Sequence, residues 1–262
     1  MRNLDVKNPR GLRPSRFTSF GAGVSIILAL VCIPFAWGAA PGVPWAENPL
    51  VQFLLVLSTA SLVLSIVSVV CRWDWRVRYF GISMLCIGSI ALLELVPLLV
   101  ILIYGIFPFI GKAAIMLFYI SSHVWWCRKF ATLYGEIFND KDKRNILYEE
   151  DADVVYYMRT GDNYLLRKYY KFSQMPPHRY FLTFILLGLM LVPLIGTVRN
   201  ITGVPFAHVF LTVAMLPVSW MSIGLAFRGV LVCYHYPARI KRITGKEVYV
   251  DLTSACKYDK KQ

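Results

Sequence analysis

Glu94 is an acidic residue within a long apolar stretch, about 15 residues past the basic residues where that stretch begins, or roughly 22 Å along a helix. A carboxyl group in such surroundings is a candidate for binding an ion or carrying a proton. The next basic residue along the chain is Lys112, and the two residues are equidistant from position 103. A tight helical turn at that position would place Glu94 and Lys112 at the same depth.

We favour an ion pair between Glu94 and Lys112 that fixes the register of two neighbouring helices. A proton-coupled or ion-binding role is the alternative. If the chain turns later than position 103, Lys112 is solvated and Glu94 loses this partner.

Four serines, Ser58, Ser61, Ser65 and Ser68, follow one another at steps of three and four residues. This spacing places their side chains on one narrow face of a helix. Small hydroxyl residues on one face favour close packing and hydrogen bonds between membrane helices. A polar pathway lined by these serines is the alternative.

A basic and aromatic stretch precedes the fifth apolar segment. Its cations are Arg167, Lys168, Lys171 and Arg179, and tyrosines lie between them. Basic residues beside a membrane helix are typical of contacts with anionic lipid headgroups. We therefore predict that these four residues contact headgroups and that nucleic acid is not a partner.

The remaining residues capable of chemistry do not form a known catalytic or metal-binding pattern. None of the four histidines is followed by a carboxylate at the spacing of a metal-binding helix, and the six cysteines show no Cys-x-x-Cys spacing. A glycine-rich phosphate loop and a nucleophile motif are also missing from the sequence. The sequence predicts no catalytic residue, no cofactor and no metal, and hence a protein that is not an enzyme.

Membrane-spanning helices are the elements that must position Glu94 and the serines. The chain has 262 residues, of which 57% are hydrophobic and 16% are charged. In soluble domains, roughly 45 to 50% of the residues are apolar and about 25% are charged. A span needs about 20 apolar residues. Weakly charged windows predict six spans near residues 20–37, 51–71, 79–104, 112–127, 180–198 and 204–227.

The third and fourth windows flank Gly105, Pro108 and Gly111, whose backbone preferences favour a break in the helix. We predict a helical hairpin over residues 79–127, and a re-entrant loop is the alternative.

The basic residues predict the orientation of the chain. There are 28 Lys and Arg residues against 15 Asp and Glu, and they accumulate on one side of the predicted spans. The positive-inside rule then places both termini in the cytoplasm. We expect a multi-pass protein of a bacterial inner (plasma) membrane. Residues 38–40 also fit a signal-peptidase site after a basic and an apolar region, which would remove the first helix only.

A short internal repeat relates the first and last predicted pairs of spans. Residues 42–46 recur as residues 203–207 with one change, and both copies lie at a predicted outer turn. If the repeat is genuine, three hairpins run in the same direction about the membrane normal. Convergence of membrane hairpins on a common turn composition is the alternative.

The sequence divides into five predicted segments. Residues 1–19 are a cytoplasmic segment, 20–127 two membrane hairpins, 128–179 a cytoplasmic subdomain, 180–233 the third hairpin and 234–262 a cytoplasmic tail. Tyrosine enrichment and a Gly-Asp turn predict strands at 154–159 and 164–167. A second pair is predicted at 239–243 and 247–252 around a turn, where Val248 and Val250 alternate with polar neighbours. We predict that the tail hairpin pairs with residues 150–170 in a small sheet.

The fold class is therefore an α-helical polytopic membrane protein with a small cytoplasmic β-containing subdomain. Two functions fit this sequence. The first is protein–protein interaction, as a subunit of a membrane complex or a protective protein of the immunity or exclusion type. Its partners would be the lipid bilayer and a protein partner or a second copy of the chain. The alternative is a small transporter or channel that uses Glu94 and the serine-lined helix face.

Overall fold

Long helices make up most of the protein, and a small three-stranded sheet lies at one end of them. A computed structural model describes residues 14–40, 42–171 and 176–252. The first half contains α1 (Pro14–Gly38), α2 (Pro49–Val70), α3 (Val77–Ile87), a short 3-10 helix (Gly88–Ala91), α4 (Leu92–Tyr104) and α5 (Phe109–Asn139).

The second half begins with the elements of the subdomain, which are α6 (Lys141–Leu147), β1 (Tyr148–Glu150), β2 (Val154–Met158), α7 (Arg159–Tyr164) and a π-helical turn (Leu165–Tyr169). The remaining elements are α8 (His178–Met190), a 3-10 turn (Val192–Leu194), α9 (Ile195–Thr202), α10 (Phe206–Ala214), α11 (Leu216–Val230), a π-helical turn (Leu231–His235), α12 (Tyr236–Thr244) and β3 (Glu247–Asp251).

Five helical segments are long and apolar enough to cross a membrane, which supports the predicted multi-pass helical membrane protein. The predicted number of six spans is not confirmed. Helix α5 has 31 residues but is not among the five, because Lys112, His123 and two serines reduce its apolar character. The five candidates are Ser15–Gly38, Pro49–Val70, Val77–Tyr104, His178–Thr202 and Leu216–Thr244.

The long helices connect two sides of the protein. We call the side with segments 39–48, 105–108 and 203–205 the turn side, and the side with segments 71–76, 139–171 and 245–252 the basic side. On the turn side, the Ile106 amide donates to the Thr202 carbonyl oxygen at 3.0 Å. His208 Nε2 lies 2.8 Å from the carbonyl oxygen of Phe35. Both contacts join segments that are far apart in the chain.

The predicted middle hairpin over residues 79–127 is not a closely packed pair of helices. Helices α1 and α2 pack along their length, but α4 hardly touches α5, which lies against α11 instead. Gly224 of α11 permits this contact, because a Cβ atom there would lie 2.6 Å from Trp126 Nε1 and 2.8 Å from Phe130 Cε2. The prediction of three equivalent hairpins is therefore not confirmed.

The two copies of the sequence repeat adopt different backbone structures. Gly203 ends α9 with a left-handed φ of 73°, and α10 begins three residues later at Phe206. In the first copy the next helix, α2, begins only at Pro49. The Asn48 side chain caps it by accepting hydrogen bonds from the amides of Leu50 and Val51. The local structure therefore gives the predicted repeat no support.

The sheet joins the subdomain to the C-terminal strand. Strand β2 pairs with β1 in antiparallel and with β3 in parallel orientation, from Val154 opposite Glu247 to Met158 opposite Asp251. The subdomain thus contributes two strands and the tail one, and neither region forms the hairpin predicted for it. The second strand predicted at 164–167 is wrong, because that segment is helical in α7 and the π-helical turn.

The strand predicted at 239–243 is also wrong, because these residues belong to α12. The helical spacing of buried and exposed residues explains this: Ile240 is buried, whereas the basic residues beside it are exposed. Gly245, with φ 74°, then ends the helix before β3. The tertiary contacts of an amphipathic helix outweigh the short-range strand pattern here.

The subdomain and the basic ends of the long helices share one apolar core. Buried residues of the sheet, such as Tyr157 and Val248, lie in the same cluster as Trp126, Phe130 and Val232 of the helices. A second cluster fills the turn side between α1, α2 and α4. The sheet is therefore fixed to the helices by apolar packing.

Candidate functional site

The most buried ionic group of the described residues is a cluster around Asp162 of α7. Its carboxylate accepts hydrogen bonds from Arg228 Nη2 at 2.6 Å, from the Tyr134 hydroxyl at 2.7 Å and from the Tyr157 hydroxyl. Asp162 is 0% exposed and Arg228 is 6% exposed. We call these four residues the Asp162 cluster. It joins α5, β2, α7 and α11 at the level where the long helices meet the subdomain.

Two features of the sequence build this cluster. Gly161 lets α7 approach α6, because a Cβ atom there would lie 2.0 Å from the Ile146 carbonyl oxygen. Arg228 is buried within the protein, because the helical segment around it continues to Thr244. Burial raises the pKa of the Tyr157 hydroxyl well above its usual value, and the Asp162 carboxylate raises it further. Tyr157 therefore remains a hydrogen-bond donor.

A cavity of about 610 Å³ adjoins this cluster, and we call it the arginine cavity. Its arginines come from four elements: α1, α7, the π-helical turn and α11. Three phenylalanines and other apolar residues of α1, α3 and α11 also line it. The lining residues are Arg16, Arg159, Arg167, Arg228, Asn163, Ser83, Tyr157, Phe17, Phe20, Phe80, Met84, Ile87 and Leu225.

The arginine cavity has a positive charge and an apolar wall. Arg228 is neutralised by Asp162, whereas Arg16, Arg159 and Arg167 are exposed and form no ion pair with a carboxylate of the described residues. None of the lining residues is acidic. Guanidinium groups match phosphate oxygens with paired hydrogen bonds, so the cavity suits a phosphate-bearing group attached to an apolar body.

Only some of the residues predicted to contact lipid headgroups line this cavity. Arg167 lines it, whereas Lys171 and Arg179 do not. Lys171 is exposed with a left-handed φ of 49°, and the Arg179 guanidinium lies 5.4 Å from the centre of the Tyr180 ring. The side chain of Lys168 lies outside the described residues.

Glu94 lies 1% exposed in the first turn of α4 and lines a second cavity of about 440 Å³, which we call the Glu94 cleft. The predicted ion pair with Lys112 is not formed by the described residues, because the chain turns at residues 105–108 rather than at 103. Lys112 lies only three residues into α5, closer to the turn side. The alternative that followed from a later turn, in which Glu94 loses this partner, agrees with the structure.

Polar residues of α5 and α11 surround Glu94 instead. The Ser219 hydroxyl interacts with the Glu94 carboxyl group and the Tyr119 hydroxyl, and lies 2.9 Å from His123 Nε2. His123 Nδ1 lies 2.8 Å from the Tyr119 carbonyl oxygen, which can only accept. We therefore assign the proton of a neutral His123 to Nδ1, so that Ser219 donates to Nε2.

The serine face of α2 lies apart from Glu94. Ser61 and Ser68 are buried and Ser58 and Ser65 half-buried on the face of α2 that packs against α1. The hydroxyls of Ser58 and Ser68 donate to carbonyl oxygens of their own helix, at 2.9 and 2.8 Å. None of the four serines lines the Glu94 cleft. The structure thus separates the two parts of the predicted intramembrane polar site.

Sequence reasoning missed the Asp162 cluster and most of the arginine cavity. One signal was available, because Arg228 interrupts an otherwise uncharged span. Its partner Asp162 is 66 residues away in the chain, so no local pattern indicates the pair.

The described residues contain no group of three or more His, Cys, Asp or Glu side chains placed to hold a metal ion. No known family, no curated protein and no solved structure with which the chain was compared matches it.

Proposed function

We propose that this chain is an inner (plasma) membrane protein that acts by binding rather than by catalysis. Its basic side and both termini face the cytoplasm, and its arginine cavity holds the phosphate group of an anionic lipid. The observation that supports this most directly is the convergence of four arginines from four elements on one cavity with a phenylalanine wall.

The charge of the cavity supports an anion as the ligand. With Arg228 paired to Asp162, three guanidinium groups remain to balance the charge of a ligand. Arginine prefers phosphate and carboxylate groups, which accept two parallel hydrogen bonds. An anion at this position would relieve the repulsion between like charges that the fold brings together.

The apolar wall supports a lipid rather than a free anion. Phe17, Phe20 and Phe80 belong to helices that are candidate membrane spans, whereas Arg159 and Arg167 belong to the subdomain. In the proposed orientation, the cavity lies at the depth of the lipid headgroups and the adjoining part of the acyl chains. This proposal extends the predicted headgroup contact of Arg167 to a defined site.

The test is the affinity for phosphatidylglycerol of the double variant Arg159→Gln/Arg167→Gln, measured by native mass spectrometry from detergent. Arg128→Gln/Arg242→Gln is the matched control, because these two arginines are also exposed and their replacement removes the same charge outside the cavity. We expect the affinity for phosphatidylglycerol to fall at least tenfold in the first double variant and less than twofold in the control. Phosphatidylcholine and inorganic phosphate at equal concentration should compete poorly.

Equal losses for the two pairs would contradict a defined site and indicate a general attraction between basic surface and anionic lipid. Strong competition by inorganic phosphate would assign the site to a free anion.

We also propose a protein partner or a second copy of the chain on the subdomain, as expected for a membrane-complex subunit or a protective protein. The observation that favours this second role is the rigid attachment of the sheet to the helices through the Asp162 cluster. Its outer strand β1 ends at exposed acidic residues, including Asp151 and Asp153. Such a surface fits a basic partner.

Affinity purification from membranes tests this role. A stoichiometric protein that is lost on Asp151→Lys/Asp153→Lys and retained on the control Glu136→Lys, also an exposed acid, would support it. A monomeric particle without any bound protein would contradict it.

A further inference from the structure

The Glu94 cleft contains one acidic side chain whose hydrogen bonds the protein does not complete. Glu94 is almost fully buried, and its Oε2 atom has no hydrogen-bond partner among the described residues. A buried polar atom without a partner costs about 1 to 3 kcal/mol, and more when it is charged. A ligand that supplied a cation or a donor to Oε2 would remove this cost.

The neighbours of Glu94 do not supply that partner. The Ser219 hydroxyl lies 2.9 Å from Nε2 of His123 and leaves Oε2 of Glu94 without a hydrogen-bond partner in the described part of the chain. Lys112, the next cation along the chain, forms no ion pair with Glu94 among the described residues. The hydroxyls of Thr202 and Thr212, which also line the cleft, donate to carbonyl oxygens of their own helices at 2.8 Å.

The rest of the cleft is apolar and aromatic. Phe107, Phe118, Tyr119 and Phe184 line it together with aliphatic residues of α4 and α10. Aromatic faces attract cations, and the attraction is strongest away from water. A volume of about 440 Å³ lies within the range of pockets that bind small organic molecules, roughly 300 to 1,000 Å³.

The cleft opens sideways. Two of its lining residues on α5, Ala114 and Phe118, are exposed on the surface of the helix bundle. This opening exists because α5 lies against α11 and hardly touches α4. In the membrane orientation proposed above, this opening faces hydrocarbon, so a ligand dissolved in the membrane has direct access.

We propose that the Glu94 cleft binds a lipophilic cation, such as an ammonium or phosphonium compound with an aromatic or alkyl body, which enters from the membrane past Ala114 and Phe118. Glu94 balances the charge of the ligand, and the aromatic residues hold its body. This site shares no lining residue with the arginine cavity, so it stands or falls independently of the anionic-lipid proposal.

The experiment measures equilibrium binding of radiolabelled tetraphenylphosphonium to the full chain in nanodiscs, with empty nanodiscs as background. Tetraphenylborate has nearly the same shape and the opposite charge, so it is the matched control ligand. Glu94→Gln is the test variant, and Glu47→Gln, an exposed acid on the turn side, is the control variant. Ala114→Phe tests the opening of the cleft.

We expect Glu94→Gln to lower the affinity for tetraphenylphosphonium at least tenfold, Glu47→Gln to change it less than twofold, and tetraphenylborate to bind weakly to the natural chain. Glu94→Gln should unfold at the same or a higher temperature without ligand, because it removes a buried acid that lacks a partner, so lost binding cannot be ascribed to misfolding. Ala114→Phe should slow binding or weaken it.

The proposal is overturned if the natural chain binds no more tetraphenylphosphonium than empty nanodiscs do. It is also overturned if tetraphenylborate binds equally well, or if Glu94→Gln binds tetraphenylphosphonium within twofold of the natural chain.

Discussion

The Asp162 cluster makes a strong prediction about stability, because two opposite charges are buried together. Asp162→Asn keeps the shape of the side chain but leaves Arg228 as an unbalanced buried charge, which costs about 3 to 5 kcal/mol. Arg228→Met leaves the Asp162 carboxylate buried, although two tyrosine hydroxyls still donate to it. We expect this variant to lose about 3 kcal/mol, the lower end of the same range.

The double variant Asp162→Asn/Arg228→Met removes both charges. Its asparagine oxygen can still accept from Tyr134 or Tyr157, and its methionine fills the space of the arginine stem. Replacing a buried ion pair by neutral groups is often close to neutral, so we expect a loss of only about 1 to 2 kcal/mol. The single losses add up to about 6 to 8 kcal/mol, which gives a coupling free energy of roughly 5 kcal/mol for the pair.

The assay is reversible unfolding in mixed micelles with increasing dodecyl sulfate, followed by the fluorescence of the seven tryptophans. All four proteins are measured, and the double-mutant cycle isolates the interaction of the two side chains. Single losses below about 1 kcal/mol, or losses that simply add in the double variant, would refute the burial of a coupled ion pair.

Two further predictions concern packing and ionisation. Gly224→Ala should destabilise the contact between α5 and α11 by about 1 to 3 kcal/mol, because its Cβ atom would lie 2.6 Å from Trp126 Nε1. Gly23→Ala, which meets no atom within 4 Å, should be neutral or slightly stabilising, and thermal unfolding distinguishes the two. Burial raises the pKa of Tyr157 in the folded state. Above about pH 10 this tyrosine loses its proton in the unfolded state but keeps it in the folded state, so stability should fall as the pH rises further. Tyr157→Phe should weaken this decline, and an unchanged pH dependence of unfolding would contradict the burial of the hydroxyl beside Asp162.

Five of the six predicted spans overlap a helical segment long and apolar enough to cross a membrane, because the signal for such a segment is local. About 20 consecutive apolar residues are sufficient evidence for a span, regardless of what they contact. The basic end of α5 beyond residue 127 was also predictable, since its helical pattern continues to Asn139.

The relative register of two helices depends on a few residues in the turn between them. This is why the predicted pairing of Glu94 with Lys112 was wrong. A shift of the turn from position 103 to residues 105–108 separates Glu94 from Lys112, while α5 moves away to pack on Gly224. A cleft then forms between α4 and α5, and its existence depends on three helices at once. Sequence periodicity describes one helix at a time and cannot indicate such a cavity.

The subdomain shows how tertiary contacts override strand propensity. The turn chemistry around Gly161 and the tyrosines beside it favour a hairpin, but Gly161 instead serves close packing against Ile146, and Asp162 meets Arg228. Each of these contacts joins segments that are well separated in the chain. Strand β3 was predictable because its valines alternate with polar residues, and β2 because it is rich in valine and tyrosine.

Solid-state NMR can show whether an anionic phospholipid occupies the arginine cavity. The measurement is dipolar recoupling between the phosphorus of phosphatidylglycerol and the guanidinium carbons of the protein in lipid bilayers. We expect short phosphorus–carbon distances to Arg159 and Arg167, which disappear in the Arg159→Gln/Arg167→Gln variant, while the signals of Arg128 and Arg242 remain unchanged. Equal distances to all exposed arginines of the basic side, or no contact at Arg159 and Arg167, would contradict it.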